Sequence, residues 1–174
     1  VIFGEPENKI ENFLKNYQII DNLKNIPGIA YKNNSEIIVN ENEIYNKELD
    51  KIPFPLWEKF DMEGYWSAGY SHAPIKKNKR FLPIITSRGC PYRCKFCVSP
   101  TLNPTWRKRS PKNVVDEIEY FNKKLNITDF HVSDLDPTVN EKRIVEICKL
   151  IIERGLNIEW KLSQGTKVET IKNM

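Results

Sequence analysis

Apolar positions recur along this chain with clear helical and strand periods in its second half and only weakly through much of its first. In SPKNVVDEIEYFNKKL, Val114, Ile118, Phe121 and Leu125 stand at spacings of four, three and four, which places them on one helical face. Ser110 can cap that helix and Pro111 suits its first turn. In EKRIVEICKLIIERG, Ile144, Ile147, Cys148 and Ile151 share a face, with Pro137 and Asn140 leading in and Gly155 ending the helix. Around these two helices lie three short strand-like runs, FLPIITS, ITDFHVSD and NIEWKLSQ. Strand, loop and helix repeated in this order require parallel strands joined by right-handed crossovers, hence an open α/β sheet or a barrel.

The first eighty residues are less regular. VIF followed by GEPE predicts the end of a buried strand turning through Gly4, and NKIENFLKNY predicts a helix with Ile10, Phe13, Leu14 and Tyr17 on one face. Residues 1–20 thus read as a strand and helix from an α/β domain. NIPGIAYKNNSEIIVNENEI predicts a small hairpin turning at Asn33 and Asn34, and a connector rich in Pro and aromatic residues runs on to about Lys79. The expected organisation is therefore 1–20 as the end of an upstream domain, 21–79 as a linker carrying a hairpin, and 80–174 as the regular α/β part. A first residue other than Met, and an end directly after a strand-like run, read as both ends of the chain being cut from a longer protein. No apolar run approaches the roughly 18 residues of a membrane-crossing helix.

Charge changes this picture more through its distribution than through its total of +4. From Gly64 to Val115 there is no Asp or Glu, while eleven Lys and Arg residues fall there, among them Lys76, Lys77, Lys79, Arg80, Arg88, Arg93, Lys95, Arg107, Lys108 and Arg109. Such a one-signed stretch steers acidic partners, or is a solvated face whose counter-charges lie on the acidic flanks. No recognisable nucleic-acid module or aromatic platform accompanies it, which argues against a nucleic-acid role. Trp57, Tyr65, Trp66 and Tyr70 are read first as packing the connector against its domain, and second as lining a substrate or corrin pocket.

Three of the four cysteines stand in RGCPYRCKFC, inside the basic stretch. Clustered thiols are not the spread framework of a small secreted protein, so a reducing, cytoplasmic setting is expected. Cys90, Cys94 and Cys97, spaced CxxxCxxC, supply three soft thiolates from one loop, enough for three corners of an iron–sulfur cube with one iron left open. Zinc is the rival, but structural zinc prefers four closed ligands, and only His72, His131 or Cys148 would remain to complete the set. Cys148 on an apolar helix face is read as a buried structural thiol, and the two histidines as structural. In parallel α/β folds functional loops leave the C-terminal ends of the strands. The cysteine loop follows the first strand, Asp134 ends the second and Gln164 the third, so all three are expected on one rim.

The cysteine spacing, with Phe96 just before the last cysteine, resembles the signature of the radical S-adenosylmethionine (SAM) enzymes. What that resemblance implies is a partial (β/α) barrel, here its N-terminal half, with a 4Fe–4S cluster on Cys90, Cys94 and Cys97. It also implies that SAM chelates the open iron and is cleaved reductively to a radical that abstracts a substrate hydrogen. Phe96 would lie near the adenine and Asp134 would contact the methionyl amine, although SDLDPT replaces the usual Gly-Gly-Glu-like sequence there. Gln164 is a weaker candidate for a ribose contact than for a solvated strand end. The order of segments from VIFGEPE to WRKRSPKNVVDEIEYF is similar to that of enzymes carrying a Rossmann-like cobalamin-binding domain ahead of the radical SAM core, so cobalamin and methyl transfer to carbon are implied by layout. Another branch, such as a methylthiotransferase, and a non-catalytic zinc or electron-transfer module stay open as alternatives. The small-molecule substrate is unspecified. Cations near the cluster, such as Arg88, Arg93 and Lys95, ease its reduction. An acidic electron donor such as a flavodoxin or ferredoxin is the expected partner, because a one-signed basic surface steers oppositely charged partners.

Overall fold

The computed structural model describes residues 1–41, 45–69, 79–99 and 105–170. Tyr70, His72, Lys76 and Lys77 lie outside them. The chain forms two compact units, Val1–Glu48 and Leu49–Met174. The first helix and the hairpin therefore belong to one unit, rather than dividing near residue 20.

In the first unit, α1 (Ile10–Asn16) and α2 (Ile20–Leu23) precede the hairpin of β1 (Ala30–Asn33) and β2 (Glu36–Val39). The hairpin pairs Asn33 with Glu36, and Asn34 turns it at φ 52°, a left-handed conformation that Asn tolerates better than most residues. Leu23, Ile26 and Ile29 form a small core, with Ile2, Phe13 and Tyr31 packed against it. The expectation of a buried strand at VIF is corrected. Val1 is exposed, and Ile2 makes one antiparallel bridge to Ile29. Of the expected apolar face of α1, Phe13 joins the core while Ile10, Leu14 and Tyr17 remain exposed.

The second unit begins with a connector containing α3 (Met62–Ala68) and continues through β3 (Phe81–Ile84), β4 (Ser87–Arg88), β5 (Arg107–Lys108), α4 (Pro111–Leu125), β6 (Asp129–Val132), α5 (Glu141–Glu153) and β7 (Glu159–Leu162). β3, β6 and β7 form a parallel sheet in that order, with Leu82 opposite Phe130 and Phe130 opposite Trp160. The expected strand and helix order is thus present. Leu82 and Ile84 of β3, with Phe130 and Val132 of β6, meet Val114, Ile118 and Phe121 of α4 and Ile144 and Ile147 of α5 in one buried core. Burying each such side chain contributes roughly 1.5–3 kcal/mol.

Local chemistry sets the helix boundaries. Ser110 accepts a hydrogen bond from the Asn113 N–H, Pro111 opens α4, and Asn126 closes it in a left-handed conformation. Asn140 accepts from the Arg143 N–H at the start of α5, and Gly155 takes φ 63° just past its end. Pro83 stands in β3 at the edge of the three-stranded sheet, where a missing N–H is tolerated. Two of the connector's aromatic residues pack on this unit as expected: Trp57 and Trp66 lie against the core, and the Trp66 indole N–H donates to the Phe81 carbonyl at 2.8 Å, whereas Tyr65 is exposed. Among the described residues no helix is long and apolar enough to cross a membrane.

The two helices are also tied by charge. Arg154 lies 2.8 Å from Asp116 and 2.7 Å from Glu119. Lys123 and then Arg154 hold the Glu119 carboxyl below its ordinary 4.5, while Lys112 and Arg154 together outweigh desolvation to hold Asp116 below 3.8. A lowered folded pKa stabilises above the unfolded value and is lost as pH falls through the folded one. Arg154→Ala is therefore expected to lower the melting temperature at neutral pH and to have a much smaller effect well below pH 3.8. Melting both proteins at the two pH values measures this, and an equal shift at both would show that the ion pairs contribute nothing.

Candidate active site at the sheet rim

After Ile84 the chain leaves the sheet through Thr86 and enters the cysteine loop. The loop has a neck. Ser87 and Arg88 pair antiparallel with Lys108 and Arg107, and the Arg109 N–H donates to the Thr86 carbonyl at 3.0 Å. Beyond this neck, Cys90 and Cys97 are half-buried and Cys94 is exposed, and all three are free thiols. The Cys97 N–H donates to the Cys94 carbonyl at 3.0 Å, and the Ser99 N–H donates to the Cys97 sulfur at 3.4 Å. Ser99, through its side chain and then its backbone, holds the Cys97 thiol below its ordinary range, which favours the thiolate that binds metal. The structure brings the three thiols onto one loop without drawing them to a point: among the described residues no three His, Cys, Asp or Glu side chains are gathered as a metal site. Phe96 is 93% exposed, an aromatic face open to a ligand.

Asp134, one residue beyond Ser133 at the end of β6, is 1% exposed. Its Oδ1 accepts from the Thr86 N–H at 2.6 Å, and its Oδ2 accepts from the Thr86 hydroxyl at 2.6 Å and the Ser87 hydroxyl at 2.5 Å. Burial pushes its carboxyl up, against the hydrogen bonds from Ser87 and Thr86 and the charge of Arg143. Both oxygens are thus engaged by the base of the cysteine loop, Oδ1 through a single hydrogen bond and Oδ2 through two. Asp136 is a turn aspartate. Its carboxylate accepts from the Thr138 N–H and hydroxyl, from the Thr166 hydroxyl and from the Lys167 N–H, and so joins the loop after β6 to that after β7. Lys167 lies 4.6 Å from the centre of the Tyr92 ring, which brings the loop after β7 onto the cysteine loop. Gln164 is exposed, as a solvated strand end should be.

Several contributors carry no local sequence signal. Arg143 is buried; its Nε donates to the Arg109 carbonyl at 2.8 Å and its Nη2 to the Thr86 carbonyl at 2.6 Å. Arg109 and Glu117 form a buried ion pair at 2.5 Å. Desolvation pushes the Glu117 carboxyl up despite that partner. A cavity of about 330 Å³ beside the neck is walled by Pro53, Phe54, Trp57, Ile85, Arg88 and Ser133, among others. Trp57 packs on the core, as its first reading expects, and also borders this cavity. His131 is buried and stacks on Phe81 at 5.0 Å, a structural role. Cys148 is half-buried on α5, away from the loop in sequence and not gathered with it.

Part of the basic stretch is paired from its flanks: Lys79 with Glu159 at 2.8 Å, Arg80 with Glu63 at 2.5 Å, and Arg109 with Glu117. Arg93, Lys95 and Lys108 are exposed on and beside the cysteine loop.

A parallel α/β sheet whose first strand feeds a CxxxCxxC loop at its C-terminal rim defines a class of fold, and comparison with known proteins agrees. Residues 84–173, more than half of the chain, match the radical SAM superfamily, and the chain belongs to that superfamily. It is 29% identical over 175 residues to the anaerobic magnesium-protoporphyrin IX monomethyl ester cyclase of Cereibacter sphaeroides, covering 99% of this chain and 27% of that protein. It is 35% identical over 123 residues to the cytidylyl-2-hydroxyethylphosphonate methyltransferase of Streptomyces wedmorensis, covering 68% of this chain and 22% of that protein. Among solved structures, the cobalamin-dependent SAM radical enzyme OxsB, with aqua-cobalamin and SAM bound, superposes with a TM-score of 0.65 at 25% identity over 90% of this chain and 21% of its own. The radical SAM methyltransferase TsrM from Kitasatospora setae shares the fold at a TM-score of 0.63 and 19% identity, over 88% of this chain and 29% of its own. The chain therefore spans about a quarter of the length of these relatives.

Proposed function

We propose that this chain is part of a radical SAM enzyme whose Cys90, Cys94 and Cys97 hold a 4Fe–4S cluster, and that the whole protein uses cobalamin to transfer a methyl group to carbon. The observation that carries this reading is the donor set: three free thiols on one loop, held by a hydrogen-bonded neck at the C-terminal end of the first strand of a radical SAM sheet. The donors fit the group. Sulfur ligands suit iron–sulfur clusters, and three of them leave one iron for SAM. When bound, the cluster and SAM together supply a reductively generated radical that abstracts a hydrogen from the substrate.

This chain's own residues hold and orient. Ser99 donates to the Cys97 sulfur, and hydrogen bonds to cluster sulfurs raise reduction potential. Phe96, 93% exposed, would present an aromatic face to the adenine of bound SAM. Phe96→Ala is expected to weaken SAM binding by about 1–3 kcal/mol, the usual worth of stacking a base on an aromatic ring. Isothermal titration of the cluster-loaded protein measures it, and unchanged affinity would remove Phe96 from the site. Arg93, Lys95 and Lys108 form the surface met by an acidic, cytoplasmic electron donor of the flavodoxin or ferredoxin kind.

The methyl-transfer reading draws on the relatives named as methyltransferases and on the likeness to OxsB. In keeping with it, we assign Val1–Glu48 to the tail of an upstream Rossmann-like, cobalamin-binding domain. The test is anaerobic reconstitution with iron and sulfide, followed by SAM and then cobalamin. A SAM-dependent change in the cluster spectrum supports the radical SAM reading, and cobalamin retained by the complete protein supports methyl transfer. A cluster with SAM but no retained cobalamin would favour another branch of the superfamily.

A further inference from the structure

The cysteine loop is gripped at its neck by two side chains that come from later in the chain, and neither is a ligand. Asp134 takes the Thr86 N–H, the Thr86 hydroxyl and the Ser87 hydroxyl. Arg143, from the first turn of α5, takes the Thr86 carbonyl and the Arg109 carbonyl. Thr86 and Ser87 are where the loop begins, and Arg109 is where it returns. One carboxylate and one guanidinium therefore fix entry and exit together, and both are at least 97% buried. The need for this grip is physical. The neck itself is only two paired residues on each side, and so short a ladder is marginal without tertiary support. A cluster bound by three thiolates in one loop requires all three sulfurs to stay within reach, and ordering a long loop costs about 1–2 kcal/mol per residue.

We infer that Asp134 and Arg143 are positioning residues for the cluster loop, locking its neck through Thr86 and Ser87 so that the thiols of Cys90, Cys94 and Cys97 meet one cluster. This rests on the iron–sulfur reading above and assigns Asp134 to the loop rather than to SAM. The Thr86 hydroxyl is the sharpest point of test, because it is small, buried and its lost bond is local. Thr86→Val removes that hydroxyl, Thr86→Ser restores it, and Asp134→Asn replaces an accepting oxygen by a donor.

The experiment compares these three variants with the unaltered protein in two measurements. In the first, made without metal, amide hydrogen exchange is followed over residues 86–97 and over the sheet strands. Thr86→Val and Asp134→Asn are expected to speed exchange in the loop at least tenfold, with Thr86→Ser near the unaltered rate and the sheet unchanged. In the second, after anaerobic loading with iron and sulfide, retained iron is expected to fall at least threefold in the same two variants. Their remaining cluster is expected to show an altered paramagnetic resonance signal on reduction, again restored in Thr86→Ser. Loop exchange as slow in Thr86→Val as in the unaltered protein, or full loading with an identical signal, would overturn the inference. If Asp134→Asn does not fold, the Thr86 pair decides. If the unaltered protein takes up no cluster, the iron–sulfur reading fails while the exchange result still judges the neck.

Discussion

Replacing Cys94 by alanine is expected to abolish assembly of the iron–sulfur cluster, leaving no more than background iron after anaerobic reconstitution. The same is expected at Cys90 and Cys97, because removing any one of the three leaves the cube with two thiolates, and the fourth cysteine, Cys148, stands on α5 about fifty residues further along the chain. Cys148→Ala is the control. That thiol is half-buried on α5, and burial pushes its pKa up, which disfavours the thiolate. Iron content and the visible spectrum are the readouts. Loss of the cluster in Cys148→Ala, or its retention in Cys94→Ala, would reassign the ligands.

Phe130→Ala is expected to have the largest effect on folding, lowering the stability of the second unit by about 3–5 kcal/mol. Phe130 is 1% exposed in the central strand, where its ring fills the layer between the sheet and the two helices. The strands end at the rim, so a cavity at this point loosens the platform from which the cysteine loop and Asp134 both start. Chemical denaturation followed by tryptophan fluorescence measures it, since Trp57, Trp66 and Trp160 border the same core. A loss under about 1 kcal/mol would mean that the ring is not part of a close-packed core.

Much of this fold is legible in the sequence where the signal is local. Ser110, Asn140 and Gly155 bound their helices because capping and left-handed closure depend on neighbours within a few residues. Asn34 turns its hairpin for the same reason. The cysteine loop is legible because its three thiols lie within eight positions. What was hidden is non-local. Asp134 and Thr86 are 48 residues apart, and Arg143 and Thr86 are 57 apart, so no spacing rule joins them. Arg143 in EKRIVE and Glu117 in VVDEIEYF look like solvated positions of their helices, and only tertiary packing buries them. The basic stretch likewise reads as one-signed in sequence, whereas folding brings Glu63, Glu117 and Glu159 from outside it onto Arg80, Arg109 and Lys79. At the N-terminus, VIF carries the apolar pattern of a strand, yet hydrophobicity over so short a run does not supply a pairing partner, and the single bridge from Ile2 to Ile29 is the result.

The most direct measurement is the electronic spectrum and paramagnetic resonance of the anaerobically reconstituted protein, recorded before and after adding SAM. The account predicts one cubane cluster per chain whose signal changes when SAM occupies its open iron. A closed four-ligand metal centre, or a cluster whose signal is the same with and without SAM, would contradict it.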